Sequence, residues 1–322
     1  MHLKFCFEKM KLALKNKTFF LFSFLLLFTV TSHVHADAET VIAPLQLHSG
    51  AEHNAAIRFH RLERLKDRVN SEPSELAKRC RYVSDIAAPA PLHQVVLSFD
   101  DGPEPIQTEL ILQLLERYKI SASFFMIGEK AKRHPNLVQE VLKSGRHLVG
   151  NHSWSHPNFH TIAVQEQAHQ VYAARDVLVN ASEPKLFRYP YGNSSCQSNA
   201  LLKTEGYKVV GWHVDSCDWA FDRHGSVNDK EALECGVLQP FKNDYVGHVL
   251  ATIEAHRGGI VLMHETHPKT IAQLETIIKA LIDRGFAFGA LSDTAFQQLM
   301  HLKRQFVHES LCGALICDQF QL

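Results

Sequence analysis

No G-x-G-x-x-G or P-loop signature follows the first strand-like run of this 322-residue chain, which removes the dinucleotide and nucleoside-triphosphate readings. No G-x-S-x-G occurs, so a nucleophile-elbow serine hydrolase has no support. No C-x-x-C and no zinc-finger spacing occur, which leaves the cysteines as staples or buried thiols rather than redox or structural-zinc groups. Internal repeats and long low-complexity tracts are missing too. Only one stretch, Thr18–Val30, is apolar over any length, and it is short for a bilayer span. A basic surplus is also absent: the formal net charge is zero. That argues against a nucleic-acid partner.

The N-terminus carries Lys4, Lys9, Lys11, Lys15 and Lys17, then the apolar run, then the small-residue stretch "VHA" ending at Ala36. This order reads as a secretory signal peptide, residues 1–36, and as an exported protein, periplasmic or extracellular. The competing reading is an uncleaved N-terminal anchor. Cleavage removes five Lys and one Glu, so the remainder is mildly acidic. It keeps six cysteines: Cys80, Cys196, Cys217, Cys235, Cys312 and Cys317. An even number in an exported chain suggests disulfides. Cys217 with Cys235 or Cys196 is one option. Cys312 could pair with Cys317, or both could reach back to Cys80. No oligomeric state can be read.

The hydrophobic share of 45% and charged share of 21% suit a globular protein. Residues 37–93 read as a short helical extension, with an amphipathic helix over 51–69, and a Pro/Ala linker, "SDIAAPAPLHQ". Residues 94–300 form the main domain and 301–322 a tail. Strand-like runs occupy 95–99, 122–127, 147–150, 185–189, 207–214, 259–263 and 286–291, and they are nearly continuously apolar. Helical stripes lie between, including Leu110–Tyr118, Leu137–Leu142 stopped by Gly145, and Ile271–Ile282 stopped by Gly285. Repeated strand–helix alternation predicts an α/β fold: a distorted (β/α) barrel of about seven parallel strands. A doubly wound open sheet is the alternative.

Five of these runs end in chemistry. "VVLSFDDGPEP" ends on Asp100 and Asp101. Alone, that stretch is a turn. But 147–150 leads into His152 and His156, 185–189 into Arg188 and Tyr191, 207–214 into Asp215, Asp218 and Trp219, and 259–263 into His264 and His267. In a β/α barrel these ends share one face, where active sites lie. His152 and His156, on a helical turn or a structured loop, with one of the two carboxylates, would make a three-ligand N/O set. That set suits catalytic zinc, with cobalt or nickel as alternatives.

"SFDDGP", "HSWSH", "RYPYG", "DSCDW" and "LMH", in this order and spacing, resemble the five motifs of the polysaccharide deacetylase family, the NodB-homology domain of carbohydrate esterase family 4. The resemblance covers about 94–291. It implies a distorted (β/α) barrel and metal-dependent hydrolysis of N-acetyl groups on amino-sugar polymers. Carried onto this sequence, it implies a metal triad of Asp101, His152 and His156 and a general base, Asp100. It implies a general acid, His264, and an orienting residue, Arg188. The Tyr191 N–H becomes an oxyanion donor, Asp218 the partner of the acid (Asp215 being the less certain carboxylate), and Trp219 a groove wall. Departures are Ser98 for the usual Thr, Tyr189 where Pro is common, Cys217 inside the fourth motif, and His267, read as a loop or substrate contact. Peptidoglycan N-acetylglucosamine is the leading substrate by family analogy. Chitin or its oligomers come next, then O-acetylated xylan. A non-catalytic glycan-binding barrel is the reading from another class.

Overall fold

A computed structural model describes residues 84–85, 91–178, 183–293 and 296. The N-terminal segment to residue 83, most of the Pro/Ala linker and the 301–322 tail, with Cys80, Cys312 and Cys317, lie outside the described residues. Eight strands are described: β1 (Gln94–Gly102), β2 (Ala122–Met126), β3 (Leu148–Asn151), β4 (Leu186–Phe187), β5 (Lys208–Val209), β6 (Val214–Asp215), β7 (Gly259–His264) and β8 (Ala287–Phe288). Among the described residues nine α-helices accompany them: α1 (Gln107–Tyr118), α2 (Gly128–Arg133), α3 (Pro135–Lys143), α4 (Val164–Val177), α5 (Cys196–Thr204), α6 (Asp218–His224), α7 (Asp229–Cys235), α8 (Tyr245–His256) and α9 (Pro268–Asp283).

The strands form one sheet in the order β5-β4-β3-β2-β1-β7-β6, with β8 on the first residues of β1. Every pairing is parallel. The two ends of this order, β5 and β6, are joined by only Val210–His213. Five Cα–Cα steps reach at most roughly 18 Å. The sheet must therefore curl until its ends nearly meet, which makes the distorted barrel. The run 207–214, expected as one strand, is thus two strands at opposite ends of the sheet. Gly211 is the break: its N–H is bonded by Ser84 Oγ at 3.0 Å rather than by a neighbouring strand. Asp85 likewise exchanges bonds with Val209, through N–H to O at 2.7 Å and Oδ2 from N–H at 2.7 Å. These two linker residues cover the edge of β5, a position that would otherwise expose unpaired backbone.

Side chains alternate across the strands. In β1, Val95, Leu97 and Phe99 pack outward beneath the helices, together with Val261 and Met263 of β7 and the apolar faces of α1 and α9. Val96 points the other way, into an inner core with Phe125, Leu148, Leu186, Val210 and Ile260. Counting on by twos from these inner residues gives Ser98 and Asp100 in β1, His152 after β3, Arg188 after β4 and His264 in β7. Burial of the core and placement of the chemistry are one pattern.

Candidate active site

Asp100 continues the inward row of β1 and is 3% exposed. Asp101 would face outward if the strand ran on regularly. The sequence expects the strand to stop before these two residues and turn. Instead β1 runs to Gly102, with its register to β2 broken between Asp100 and Gly102 and with Asp101 at φ 70°. That left-handed residue is a bulge that swings the second carboxylate back to the same mouth. The backbone beyond is fixed by Glu265, whose N–H donates to the Asp100 carbonyl at 3.0 Å.

His152 follows β3 and donates from Nδ1 to the carbonyl of Arg188 at 2.8 Å. That bond places the proton on Nδ1 and leaves the Nε2 lone pair facing Asp101, as in metal-ligating histidines. His152 Nε2 lies 3.4 Å from Asp101 Oδ1, and His156 Nε2 lies 3.3 Å from the same oxygen. His156 is on a loop rather than a helical turn, at φ 60°, with its N–H bonded to Ser153 Oγ at 3.0 Å. Asn151 Oδ1 takes the Ser153 N–H, and Gln170 Oε1 takes that of Ser155, so buried amides shape this loop. Burial, aided by the neighbouring His152, pulls the His156 imidazole down to about 4, so it is neutral at pH 7. Burial works to raise the Asp101 carboxyl, but contact with His152 and the charge of His264 outweigh it and hold the group well below the carboxylate range. Asp101 Oδ1 is buried with no hydrogen-bond partner. A charged oxygen left bare, faced by two imidazole nitrogens, fits a divalent cation. Asp101, His152 and His156 are the residues that would hold it.

Arg188 is wholly buried. Its Nη1 donates to Asp100 Oδ1 at 2.7 Å and to Ser98 Oγ at 2.9 Å; Nε and Nη2 reach the carbonyls of Val210 and Gly211 at 3.0 and 3.2 Å. Its guanidinium lies 4.1 Å from the Phe125 ring centre. The hydroxyl of Ser98, one of the departures, therefore links β1 to this arginine and to the Val261 carbonyl at 2.7 Å. Tyr189, another departure, buries its ring against Phe159 and Phe187 and bonds Ser198 Oγ and Asn199 Oδ1 at 2.9 Å each. Tyr191 sits at φ 58° and is 60% exposed, its ring 4.7 Å from that of His156.

Across the mouth, His264 pairs in register with Asp100. Its Nδ1 meets Asp218 Oδ1 at 2.7 Å, and its N–H donates to Asp218 Oδ2 at 2.7 Å. Asp218 also accepts from Thr270 and from the Trp219 N–H. Burial alone would lower the imidazole, but the adjoining Asp218 charge outweighs it and pushes His264 up to about 10. Asp218, not Asp215, supports this histidine. Asp215 instead accepts the Cys217 N–H at 3.0 Å, which turns the chain into α6. Asp218, His264 and His267 also come close enough to suggest a second cation site. The Asp218 oxygens, however, are already taken by four donors, so this is a hydrogen-bonded anchor. His267 instead faces Asp222, with Nδ1 and Oδ2 3.4 Å apart.

Cys217 and Cys235 form a disulfide, one of the options the sequence left open. Cys196 is disulfide-bonded as well. Sequence reasoning passed over Glu265. Its carboxyl is fully buried beneath Gly102 and accepts from Thr108, and burial pushes it up to about 8. A charged residue next to a buried strand end was the available signal. All the predicted groups except Arg188 and Asp218 line one groove of about 1000 Å³, with Trp212, Asn158 and Asn193 among its walls. Arg188 and Asp218 stand behind Asp100 and His264 as their supports.

The arrangement is that of a parallel-barrel hydrolase face: a carboxylate beside a cation-binding triad, opposed by a carboxylate-anchored histidine. A family model described as "Polysaccharide deacetylase" matches residues 87–210. A peptidoglycan-N-acetylglucosamine deacetylase of Bacillus cereus is 32% identical over 205 residues, 62% of this chain and 86% of that protein. The peptidoglycan-N-acetylglucosamine deacetylase PgdA of Listeria monocytogenes is 31% identical over 215 residues, 66% of this chain. This chain spans only 41% of that relative's length. Among solved structures, the Bc1960 peptidoglycan N-acetylglucosamine deacetylase, in complex with an N-hydroxybenzamide, superposes with a TM-score of 0.53 at 28% identity, covering 65% of this chain and 90% of that one. The chain belongs to the polysaccharide deacetylase family.

Proposed function

We propose that this protein is an exported, metal-dependent N-deacetylase of amino-sugar polymer, acting on peptidoglycan N-acetylglucosamine and releasing acetate. The observation that carries the reading is the meeting of two halves at one mouth. Asp100, tied to Arg188, stands beside the bare Asp101–His152–His156 triad, and His264, tied to Asp218, stands in register with Asp100 on the neighbouring strand β7. When bound at the triad, zinc or a similar divalent ion supplies Lewis acidity towards an acetamide carbonyl and water.

The rest falls to the chain. Asp100 Oδ1 is held by Arg188, which leaves Oδ2 to accept the proton of the attacking water. The Tyr191 N–H donates to the carbonyl oxygen as it gains charge. His264 is protonated at neutral pH and delivers its proton to the departing amine, while Asp218 holds the ring and offsets its charge. Trp219 walls the groove beside the sugar. The Lys-rich start and apolar run of the N-terminus support export, and the two relatives' activities support the substrate. No described helix is long and apolar enough to cross a membrane.

The test is acetate release from peptidoglycan, chitin oligomers and acetylxylan, side by side, with zinc and after chelation. Chelator-sensitive release, fastest from peptidoglycan, is expected. Release from none of the three, with glycan binding retained, overturns the reading in favour of a binding barrel.

A further inference from the structure

The groove has two unlike flanks. Beside Tyr191 the wall is amide and aromatic, with Asn158 and Asn193. On the other side the wall is charged and comes from one stretch, 217–235, which contains α6 and α7. This stretch is closed at its base by the Cys217–Cys235 disulfide, between residues 0% and 1% exposed. It is braced at its centre by a capping box: Asn228 Oδ1 accepts the Glu231 N–H, and Glu231 Oε2 accepts that of Asn228, each at 3.0 Å. Glu231 Oε1 then steadies Arg223 at 3.4 Å, and the guanidinium lies 5.2 Å from the Trp219 ring centre. Arg223 remains 58% exposed to the groove. Lys230 lines the same wall, is exposed, and makes no ion pair with a described residue. The nearby carboxylate of Asp222 is occupied by the Lys269 N–H at 3.1 Å and by His267. Arg223 and Lys230 are therefore presented on a clamped wall beside an aromatic face, with Glu234 the remaining carboxylate of that stretch to line the groove. A neutral glycan offers them hydroxyl and carbonyl acceptors but no anion to pair with.

We propose that the disulfide-closed α6–α7 segment is a specificity wall. Arg223 and Lys230 recognise a carboxylate on the unit flanking the reacting N-acetyl sugar, as an O-lactyl amino sugar would carry. The chemistry is bidentate capture by a planar guanidinium stacked on Trp219, assisted by the point charge of Lys230. This rests on the deacetylase reading above and assigns two residues to its substrate preference, for alternating neutral and acidic amino sugars over uniformly neutral ones.

The experiment uses the full zinc-loaded chain and two oligomer series of equal length. One alternates N-acetylglucosamine with O-lactyl units bearing free carboxylates; the other is chitooligosaccharide. KM and kcat come from acetate release and Kd from tryptophan fluorescence. The double variant Arg223→Gln/Lys230→Gln is expected to raise KM for the acidic series about tenfold, the scale of two exposed charge contacts, with kcat within about twofold. KM for chitooligosaccharide stays unchanged, and added salt erodes the wild-type preference. Equal shifts on both series, or none on either, overturn the proposal. Should the wild type release acetate from neither, the deacetylase reading has failed, and Kd alone decides the wall. Weaker binding of only the acidic series in the double variant upholds it; unchanged binding sinks it.

Discussion

Arg188→Met isolates the feature on which the base half of the site depends. The guanidinium sits in the barrel interior, bonded to Asp100, Ser98, Val210 and Gly211. Methionine fills part of the volume but donates nothing. Asp100 is then a carboxylate 3% exposed without its cation, and two carbonyls lose their donor. Removing one partner of a buried pair costs about 3–5 kcal/mol, because the remaining charge stays desolvated. For a domain of this size each kcal/mol moves Tm by about 2–4 °C, so a fall near 10 °C is expected. Arg188→Lys keeps the charge yet cannot span Asp100 and both carbonyls, so it falls between. The decisive variant is Arg188→Met/Asp100→Leu, which removes both charges. It should be more stable than Arg188→Met alone, since no charge is stranded. Urea unfolding followed by tryptophan fluorescence measures all three, with Trp212 lying 5.8 Å from the Arg188 guanidinium. If Arg188→Met lies within about 1 kcal/mol of wild type, or the double variant is no more stable than Arg188→Met, the reasoning about a stranded carboxylate is wrong.

The two adjacent carboxylates should separate cleanly. Asp101→Asn is expected to abolish the zinc-induced rise in Tm, about 2.7 kcal/mol of stabilisation at a hundredfold excess over Kd. Asp100→Asn should keep that rise while acetate release drops about 10²-fold or more; the reverse pattern would exchange their roles. Asp218→Asn should move the alkaline limb of the kcat/KM profile down from about 10, because burial lowers His264 and only the charges of Asp101 and Asp100 are then left to oppose it. The sign for stability follows from the same shift. His264 is raised in the fold, so the pair stabilises fully below an unfolded pKa of about 6.5 and fades as pH rises through about 10. The advantage of wild type over Asp218→Asn in urea midpoint should therefore be larger at pH 6 than at pH 10, and equal gaps would refute it. Cys217→Ser/Cys235→Ser, which opens a loop of 18 residues and leaves the Cys196 disulfide intact, should cost about 3 kcal/mol in urea unfolding; a curve coincident with wild type would contradict that.

The barrel was legible in the sequence because its evidence is periodic. Apolar runs, helical stripes and glycine stops recur, and each states one element. What stayed hidden was where the sheet ends. The run 207–214 is apolar throughout, and composition does not reveal that Lys208–Val209 joins one edge while Val214–Asp215 joins the other. The helix α4 was missed for a related reason. Its buried face includes Gln167 and Gln170, which turn inward to hold the Phe159 carbonyl and the Ser155 N–H, so no apolar stripe announces it.

The site was more legible than the fold that carries it, and alternation explains why. Asp100, His152, Arg188 and His264 all fall on the parity of the inner core residues of their own strands, so a strand-end position suffices to place them. Asp101 breaks that parity. A regular strand would send it outward under the helices, away from the histidines. Its placement depends on a left-handed residue at φ 70° followed by Gly102. A Cβ on Gly102 would collide with the buried Glu265 carboxyl, and Glu265 is also the residue whose N–H binds the Asp100 carbonyl. Gly102→Ala should therefore act through the bulge rather than through the core. It should weaken zinc binding, read from the metal-induced Tm shift, more than it lowers the apo Tm. A loss of apo stability with zinc affinity intact would mean the bulge does not position Asp101.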